Sequence, residues 1–453
     1  MIAAITSGSG KTSFTCALSD IFKKSGTDVS LLKCGPDYID VMFHQKILGV
    51  QSDNIDPFFS DEEDCKKIVA KASGDLLIIE GAMGIYDGIT GAGIQGSCYD
   101  IAQKTQTPII LIVDMQKTGY TIIPLLSGIL AEDSASLIKG IIFNRISDNF
   151  FSAIRDQIKR RSEFKNVKIL GGISRIKDVG FDSRYLGLLM PDEISDFYER
   201  INRFSDALKS NINLDELEKI SEDANYISIS NSAPENGEEN STVFFSLKPP
   251  LTLAVAKDDA FCFYYKRNLE EFKQRGVTLA FFSPITDEKI PDNASGLLLG
   301  GGYPELYSQE LSKNISMKES VKKAIHSGMP SLAECGGFMY LLDGITKQVS
   351  YSMVGIIEGK AFDTGGLVRF GYGTITSDRG LLEGLEIRGH EFHHYDTKNA
   401  GCDCIMTHPK TGRSHSCMHM SDDHLWGFAH LYYPSCPEFV DRFIKKMEEY
   451  NAK

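Results

Sequence analysis

The chain has 453 residues, 42% of them hydrophobic, which is enough for two or three domains with cores of their own. Its net charge of −13 argues against a nucleic-acid partner, so any anion must be held by local cations and backbone amides. No apolar run approaches the roughly 20 residues that cross a bilayer, no membrane partner is expected, and ten irregularly spaced cysteines point to a reduced, cytoplasmic setting.

In chain order, the strand-like runs "IAAI" (2–5), "DVSLLK" (28–33), "DLLIIE" (75–80), "PIILIVD" (108–114) and "GIIFNRI" (140–146) alternate with helix-like stretches. That alternation predicts a parallel, doubly wound α/β sheet. The polar stretch "NSAPENGEENST" (231–242) reads as a linker. Beyond it, "LTLAVA" (251–256), "VTLAFF" (277–282), "SGLLLGGG" (295–302) and "MPSLAECGG" (329–337) resume the alternation. The fold class is therefore α/β, two doubly wound domains at 1–205 and 251–453 with a linker region over 206–250.

"AAITSGSGKTS" (3–13) is a strand, a Gly/Ser turn and a helix start, the context of a phosphate loop. Glycines let backbone N–H groups converge on phosphate, Lys11 meets the terminal phosphates, and Thr12 offers a hydroxyl to Mg²⁺. The strict pattern has a glycine where this chain has Ile5. The expected ATP-binding set is Gly8, Ser9, Gly10, Lys11, Thr12 and Ser13, with Asn144 from "GIIFNRI". Glu80 ends a strand, where a carboxylate can hold Mg²⁺, and joins Thr12 and Asp37 as an expected metal ligand. Asp37 comes from "KCGPDYIDVMFH" (33–44), where Gly35-Pro36 predicts a loop at the sheet's carboxyl end. Lys33, Tyr38, Asp40 and His44 of the same stretch are the expected substrate-binding residues.

In "LAECGGFMYL" (332–341) a cysteine stands between an apolar strand and two glycines. A nucleophile suits such a strand-to-helix turn, because the glycines permit a tight bend and leave amides free. Gly336 offers one amide to an oxyanion, and Gly301 in "LLLGGGYPEL" (297–306) a second. The base must be a histidine, and His390, His393, His394 and His430 are all candidates, since sequence alone gives no distances. Cys16, Cys34, Cys98 and Cys262 lie in or beside apolar elements and read as packing residues. "CDC" (402–404) with His408, His415, Cys417 and His419 matches no common zinc spacing and is read as no metal site.

The phosphate loop, "KCGPDYIDVMFH", "EGAMGIYDG", "AKDDAFCFYY" (256–265), "LGGGYPEL", "LAECGGFMYL" and "RGHEFHHY" (388–395) together resemble the cobyrinic acid a,c-diamide synthases, in family order and over nearly the whole chain. The resemblance implies a P-loop NTPase-like domain followed by a class I glutamine amidotransferase-like domain. It implies ATP and Mg²⁺ as cofactors, L-glutamine and cobyrinic acid as substrates, and two amidations through acyl phosphates. It selects Cys335 as nucleophile and His430 as base. Class I amidotransferases usually carry a glutamate two residues after that histidine, where this chain has Tyr432, so a Cys–His dyad is expected. A homodimer is carried as an expectation. Two other readings share the motifs: a nickel-sirohydrochlorin a,c-diamide synthase, and a regulatory P-loop ATPase with a degenerate glutaminase domain. Intact Cys335 and His430 disfavour the last.

Overall fold

Runs of Ile, Leu and Val bounded by Gly and polar residues form strands buried on both faces, the pattern of a parallel sheet covered by helices. The computed structural model describes residues 1–176, 197–224 and 250–453; the 231–242 linker stretch lies outside the described residues. The chain divides into two compact units, Met1–Ser232 and Ala233–Lys453.

In the first unit, β1 (Ile2–Ala4), β2 (Val29–Cys34), β3 (Gln51–Ile55), β4 (Leu76–Glu80), β5 (Ile109–Asp114), β6 (Ile138–Asn144) and β7 (Lys168–Ile173) form one sheet. Its order is β3-β2-β4-β1-β5-β6-β7, with parallel neighbours throughout. Ile101, Leu111 and Phe143 belong to one buried core, and Phe14, Ile112 and Ile142 to another. This alternation along each strand puts successive side chains on opposite faces. The helices Phe197–Asn211 and Leu214–Glu222 also belong here, burying Phe197, Ile201, Phe204, Leu208, Leu217 and Ile220 in the second of those cores.

The second unit opens with β8 (Thr252–Ala256), β9 (Thr278–Phe282), β10 (Gly296–Leu299) and β11 (Ser331–Glu334). The following strands are β12 (Leu342–Thr346), β13 (Ser350–Ser352), β14 (Ile357–Asp363), β15 (Arg369–Thr376), β16 (Glu386–His393), β17 (Tyr395–Asp396), β18 (Cys404–Thr407), β19 (Ser414–Cys417), β20 (His419–Met420), β21 (His424–Gly427) and β22 (His430–Leu431). The sheet β20-β21-β11-β10-β8-β9 is parallel apart from β20. Two further sheets, β13-β12-β14-β17 and the antiparallel β19-β18-β15-β16-β22, stand beside it. The doubly wound expectation holds for both units but omits these two sheets. Their strands are short or half-exposed and carry no continuous apolar run.

Candidate functional sites

β1 ends at Ala4, and the chain turns through residues 5–10 into the helix Lys11–Lys24. Gly8 at φ 74° and Gly10 at φ 100° supply the left-handed backbone that this turn requires. Ile5, in place of the glycine of the strict pattern, packs against the core. Asn144 Nδ2 donates to Ser9 O at 2.9 Å and lies 2.9 Å from where a Cβ on Gly10 would stand, so any other residue there would collide with it. Arg145, just after β6, donates to Gly8 O at 2.5 Å; it is a guanidinium beside the loop that the sequence reading missed. Lys11 is buried, its ammonium donating to Met83 O at 2.5 Å, and burial lowers its proton affinity.

Thr12 Oγ1 donates to Glu80 Oε1 at 2.5 Å, so two of the three expected metal ligands are neighbours. Glu80 is fully buried: Lys33 Nζ donates to its Oε1 at 2.7 Å, and His44 Nε2 lies 3.0 Å from its Oε2. Burial opposes the charge on Glu80, but Lys33 and then His44 prevail and hold the carboxyl below the usual range. Lys33 also pairs with Asp40. Burial disfavours its ammonium, yet Asp40 and Glu80 on either side keep it protonated well beyond the ordinary range. Asp40 is the weaker acid of the set, pushed up to about 8 by burial and then by the charge of Asp37.

The loop expected over 33–44 is corrected in part. Asp37 caps a helix over Tyr38–Phe43, its Oδ1 accepting from Ile39 N at 2.9 Å and Asp40 N at 3.1 Å. The Asx cap overrides the Gly-Pro signal one residue later. Tyr38, Asp40 and His44 are thereby turned inward and buried. Thr12 Oγ1 and the Glu80 carboxylate are hard oxygens, which suit Mg²⁺, and Lys33 and His44 are the nitrogen groups already beside them.

In the second unit, Cys335 stands between β11 and the helix Gly336–Leu341 at φ 47°, ψ −102°. A β-carbon residue held there stores strain, as at the elbow that lifts a nucleophile off a strand end. Cys335 N donates to Gly427 O at 2.7 Å and fixes the turn. A Cβ on Gly337 would stand 2.1 Å from Leu299 O, and one on Gly336 would stand 2.8 Å from Pro304 Cδ and 3.1 Å from Gly302 N. The "CGG" run is therefore required by close approach of β10 and the turn after it, and Gly302 supplies the amide nearest Gly336. A Cβ on Gly301 would stand 2.4 Å from His430 Cε1. Gly301, Gly336, Cys335 and His430 thus share one neighbourhood.

His430 is buried and stacks on His390 at 5.0 Å between centroids. His393 stacks instead on Phe428, with Nδ1 2.7 Å from Tyr395 O. Glu334, one residue before Cys335, puts Oε2 3.9 Å from His430 Nδ1, and its Oε1 accepts from Tyr433 OH at 2.8 Å. So a carboxylate does face the histidine, from the strand before the cysteine rather than from position 432, whose side chain is Tyr432. It stood inside "LAECGGFMYL", and its parallel pairing to Gly427 in β21 is what aims it. Burial pushes the Glu334 carboxyl up to about 8, lowers His430 well below the usual imidazole range, and raises the Cys335 thiol.

Of the other thiols, Cys16, Cys34 and Cys98 are buried and Cys262 is half-buried. No helix among the described residues is long and apolar enough to cross a membrane.

Residues 1–185 match the CobQ/CobB/MinD/ParA nucleotide binding domain, and residues 252–431 the CobB/CobQ-like glutamine amidotransferase domain. The cobyrinate a,c-diamide synthase of Clostridium acetobutylicum is 33% identical over 98% of this chain and 99% of its own length. That of Picrophilus torridus is 33% identical over 98% of each chain, and that of Listeria innocua 35% identical over 89% of this chain and 88% of its own. With the P-loop turn and the strained thiol elbow in their respective units, the chain belongs to the cobyrinate a,c-diamide synthase family.

Proposed function

We propose that this chain is an ATP- and glutamine-dependent ligase that converts the a and c acetate carboxylates of cobyrinic acid to amides in cobalamin biosynthesis, the activity for which its relatives are named. The observation that carries the reading is the Cys335 elbow beside His430 and Glu334. A thiol held strained at a strand end, next to a neutral imidazole with a carboxyl on its far side, is built for acyl transfer.

In that reaction Cys335 Sγ attacks the side-chain amide carbon of glutamine while His430 takes the thiol proton. His430 Nδ1 faces Glu334, which leaves Nε2 for this transfer. The proton passes to the departing nitrogen, ammonia leaves, and a γ-glutamyl thioester remains. Water, deprotonated by His430, releases glutamate. Amides of Gly336 and Gly301, with Gly302 beside them, receive the oxyanion.

In the first unit the backbone from Gly8 to Ser13, with Lys11 and Asn144, binds ATP. A carboxylate of cobyrinic acid attacks the γ-phosphorus, ADP departs, and ammonia displaces phosphate from the acyl phosphate. Thr12 and Glu80, with Asp37 as a further ligand, would hold Mg²⁺, which would supply neutralisation of phosphate charge there. Lys33, Tyr38, Asp40 and His44, all buried, position the substrate through Glu80 and the helix Tyr38–Phe43.

Incubating the protein with ATP, Mg²⁺, glutamine and separate tetrapyrroles tests this. Cobyrinic acid should gain two amides with release of glutamate, ADP and phosphate. Amidation of nickel-sirohydrochlorin alone would replace the substrate, and ATP turnover indifferent to any tetrapyrrole would remove the ligase reading. Light scattering of the same preparation reads the expected homodimer.

A further inference from the structure

The antiparallel sheet of the second unit carries a second polar cluster, on Glu391, His408 and His415. Glu391 lies in β16 and is 2% exposed; His415 lies in β19, and His408 follows β18. One ligand-type atom from each lies within 4.8 Å of the other two. Glu391 Oε2 and His415 Nε2 are 3.3 Å apart, an ion-pair contact in which neither atom makes a well-directed hydrogen bond. A buried carboxylate oxygen whose cations stand at ion-pair distance keeps lone pairs for a further partner. Two ligands each about 2.0–2.1 Å from one tetrahedral ion stand about 3.4 Å apart. The spacing is that of ligands converging on a centre between them.

Two further features fit an ion. His408 Nδ1 lies 3.0 Å from Tyr372 O, so that nitrogen carries the proton and Nε2 keeps its lone pair, as an outer-shell carbonyl does for metal-binding histidines. β15 separates β18 from β16, and the residue opposite Glu391 on it is Gly371, where an added Cβ would meet nothing within 4 Å. The missing side chain leaves the space between carboxylate and imidazoles open. Arg369 Nη1, 3.8 Å from Glu391 Oε2, is the charge an ion would share that oxygen with.

We infer that Glu391, His408 and His415 form a site for a divalent transition-metal ion of the zinc type, with two imidazoles, one carboxylate and an exchangeable position toward solvent. Such a set prefers borderline ions to Mg²⁺, which takes oxygen ligands. The ion ties the hairpin of β18 and β19 to β16. The cysteines of "CDC" have no part in it, which is why cysteine spacing gave no zinc pattern.

Co²⁺ titration of the full-length protein near neutral pH, with excess Mg²⁺ to occupy hard-oxygen sites, tests the inference. One equivalent should bind with visible d–d bands, without a thiolate-to-cobalt charge-transfer band, and Zn²⁺ should displace it. Glu391→Gln and His415→Ala should each weaken binding by more than the about 10- to 100-fold that loss of an outer-shell partner costs. Each variant in EDTA should match the circular dichroism of the wild type in EDTA. Independently of any variant, long-range ¹⁵N spectra of the Zn²⁺-loaded wild type should show His408 as the Nδ1–H tautomer with Nε2 metallated. A thiolate band, Co²⁺ binding unchanged in both variants, no stoichiometric binding, or a His408 ring unaffected by Zn²⁺ would each overturn the assignment.

Discussion

The two candidate sites solve opposite electrostatic problems. Around Glu80, charge is present at rest and satisfied: a buried carboxylate sits among Lys33, His44 and Thr12, and Lys33 spans Glu80 and Asp40. Around Cys335, burial drives thiol, imidazole and carboxyl each toward its neutral form. A site for polyphosphate needs fixed donors and charges that do not reorganise when the ligand arrives. A site that passes one proton from sulfur to nitrogen and back needs groups that hold charge only during the reaction. Removing a partner near Glu80 should strand a buried charge, whereas removing one near Cys335 should alter chemistry with little loss of fold.

The largest effect is expected from Lys11→Ala. It should abolish synthesis with glutamine and with ammonium alike, since both need the acyl phosphate. The lysine is buried and donates to Met83 O, so some loss of melting temperature should accompany the substitution. Amide formation from high ammonium at saturating ATP would mean the loop is not the phosphate site.

Cys335→Ala comes next and divides the two sites. Glutamine-dependent synthesis should fall by at least about 10³-fold, while ammonium-dependent synthesis persists. The alanine also keeps the unfavourable φ of 47°, so Cys335→Gly should fold at least as well and be equally inactive with glutamine. Failure of ammonium to restore either variant would break the division of labour.

How far the sequence carried these sites depends on where each partner lies in the chain. The phosphate loop, the thiol turn and the central strands were legible because their signals are local: glycines at fixed offsets and apolar runs of five or six residues. Glu334 was visible but silent, because its role depends on β11 pairing with β21, about ninety residues on. β3, "QSDNI", has too few apolar residues to read as a strand and is held by parallel pairing to β2. The Glu391 cluster was beyond reach for the same reason, being drawn from two strands and a loop by antiparallel register.

Asp40→Asn should act on product distribution. The amide oxygen can still accept a hydrogen bond from Lys33 but the group can no longer ionise, so the pairing with Lys33 and the hold on the partly amidated intermediate both weaken. Monoamide should accumulate while ATP is still consumed, whereas Asp37→Asn, which keeps the cap but removes the charge of an expected metal ligand, should slow both steps. Chromatography of the corrinoid products reads the ratio. A normal diamide-to-monoamide ratio in Asp40→Asn would leave that residue as part of the buried pair and nothing more.

Glu334→Gln is the smallest change and the sharpest test of the neutral site. At pH 7 the carboxyl, pushed up to about 8, is mostly protonated; above that it ionises and steadies the imidazolium that forms on His430. Glutamine-dependent kcat of the wild type should therefore rise with pH through about 8, and the variant should lose that rise, with kcat about 10- to 100-fold lower at high pH and ammonium-dependent synthesis unchanged. Stability should move the opposite way. The folded protein keeps a proton that the unfolded chain releases near the ordinary glutamate value of 4.5, so this group's contribution to stability is full below that value and is lost as pH rises to about 8. Glutamine does not titrate. The melting temperature of the wild type relative to Glu334→Gln should consequently fall between pH 5 and pH 8, the window these values define. Parallel melting profiles would show that Glu334 is ionised throughout and that the second site, like the first, is built on standing charge.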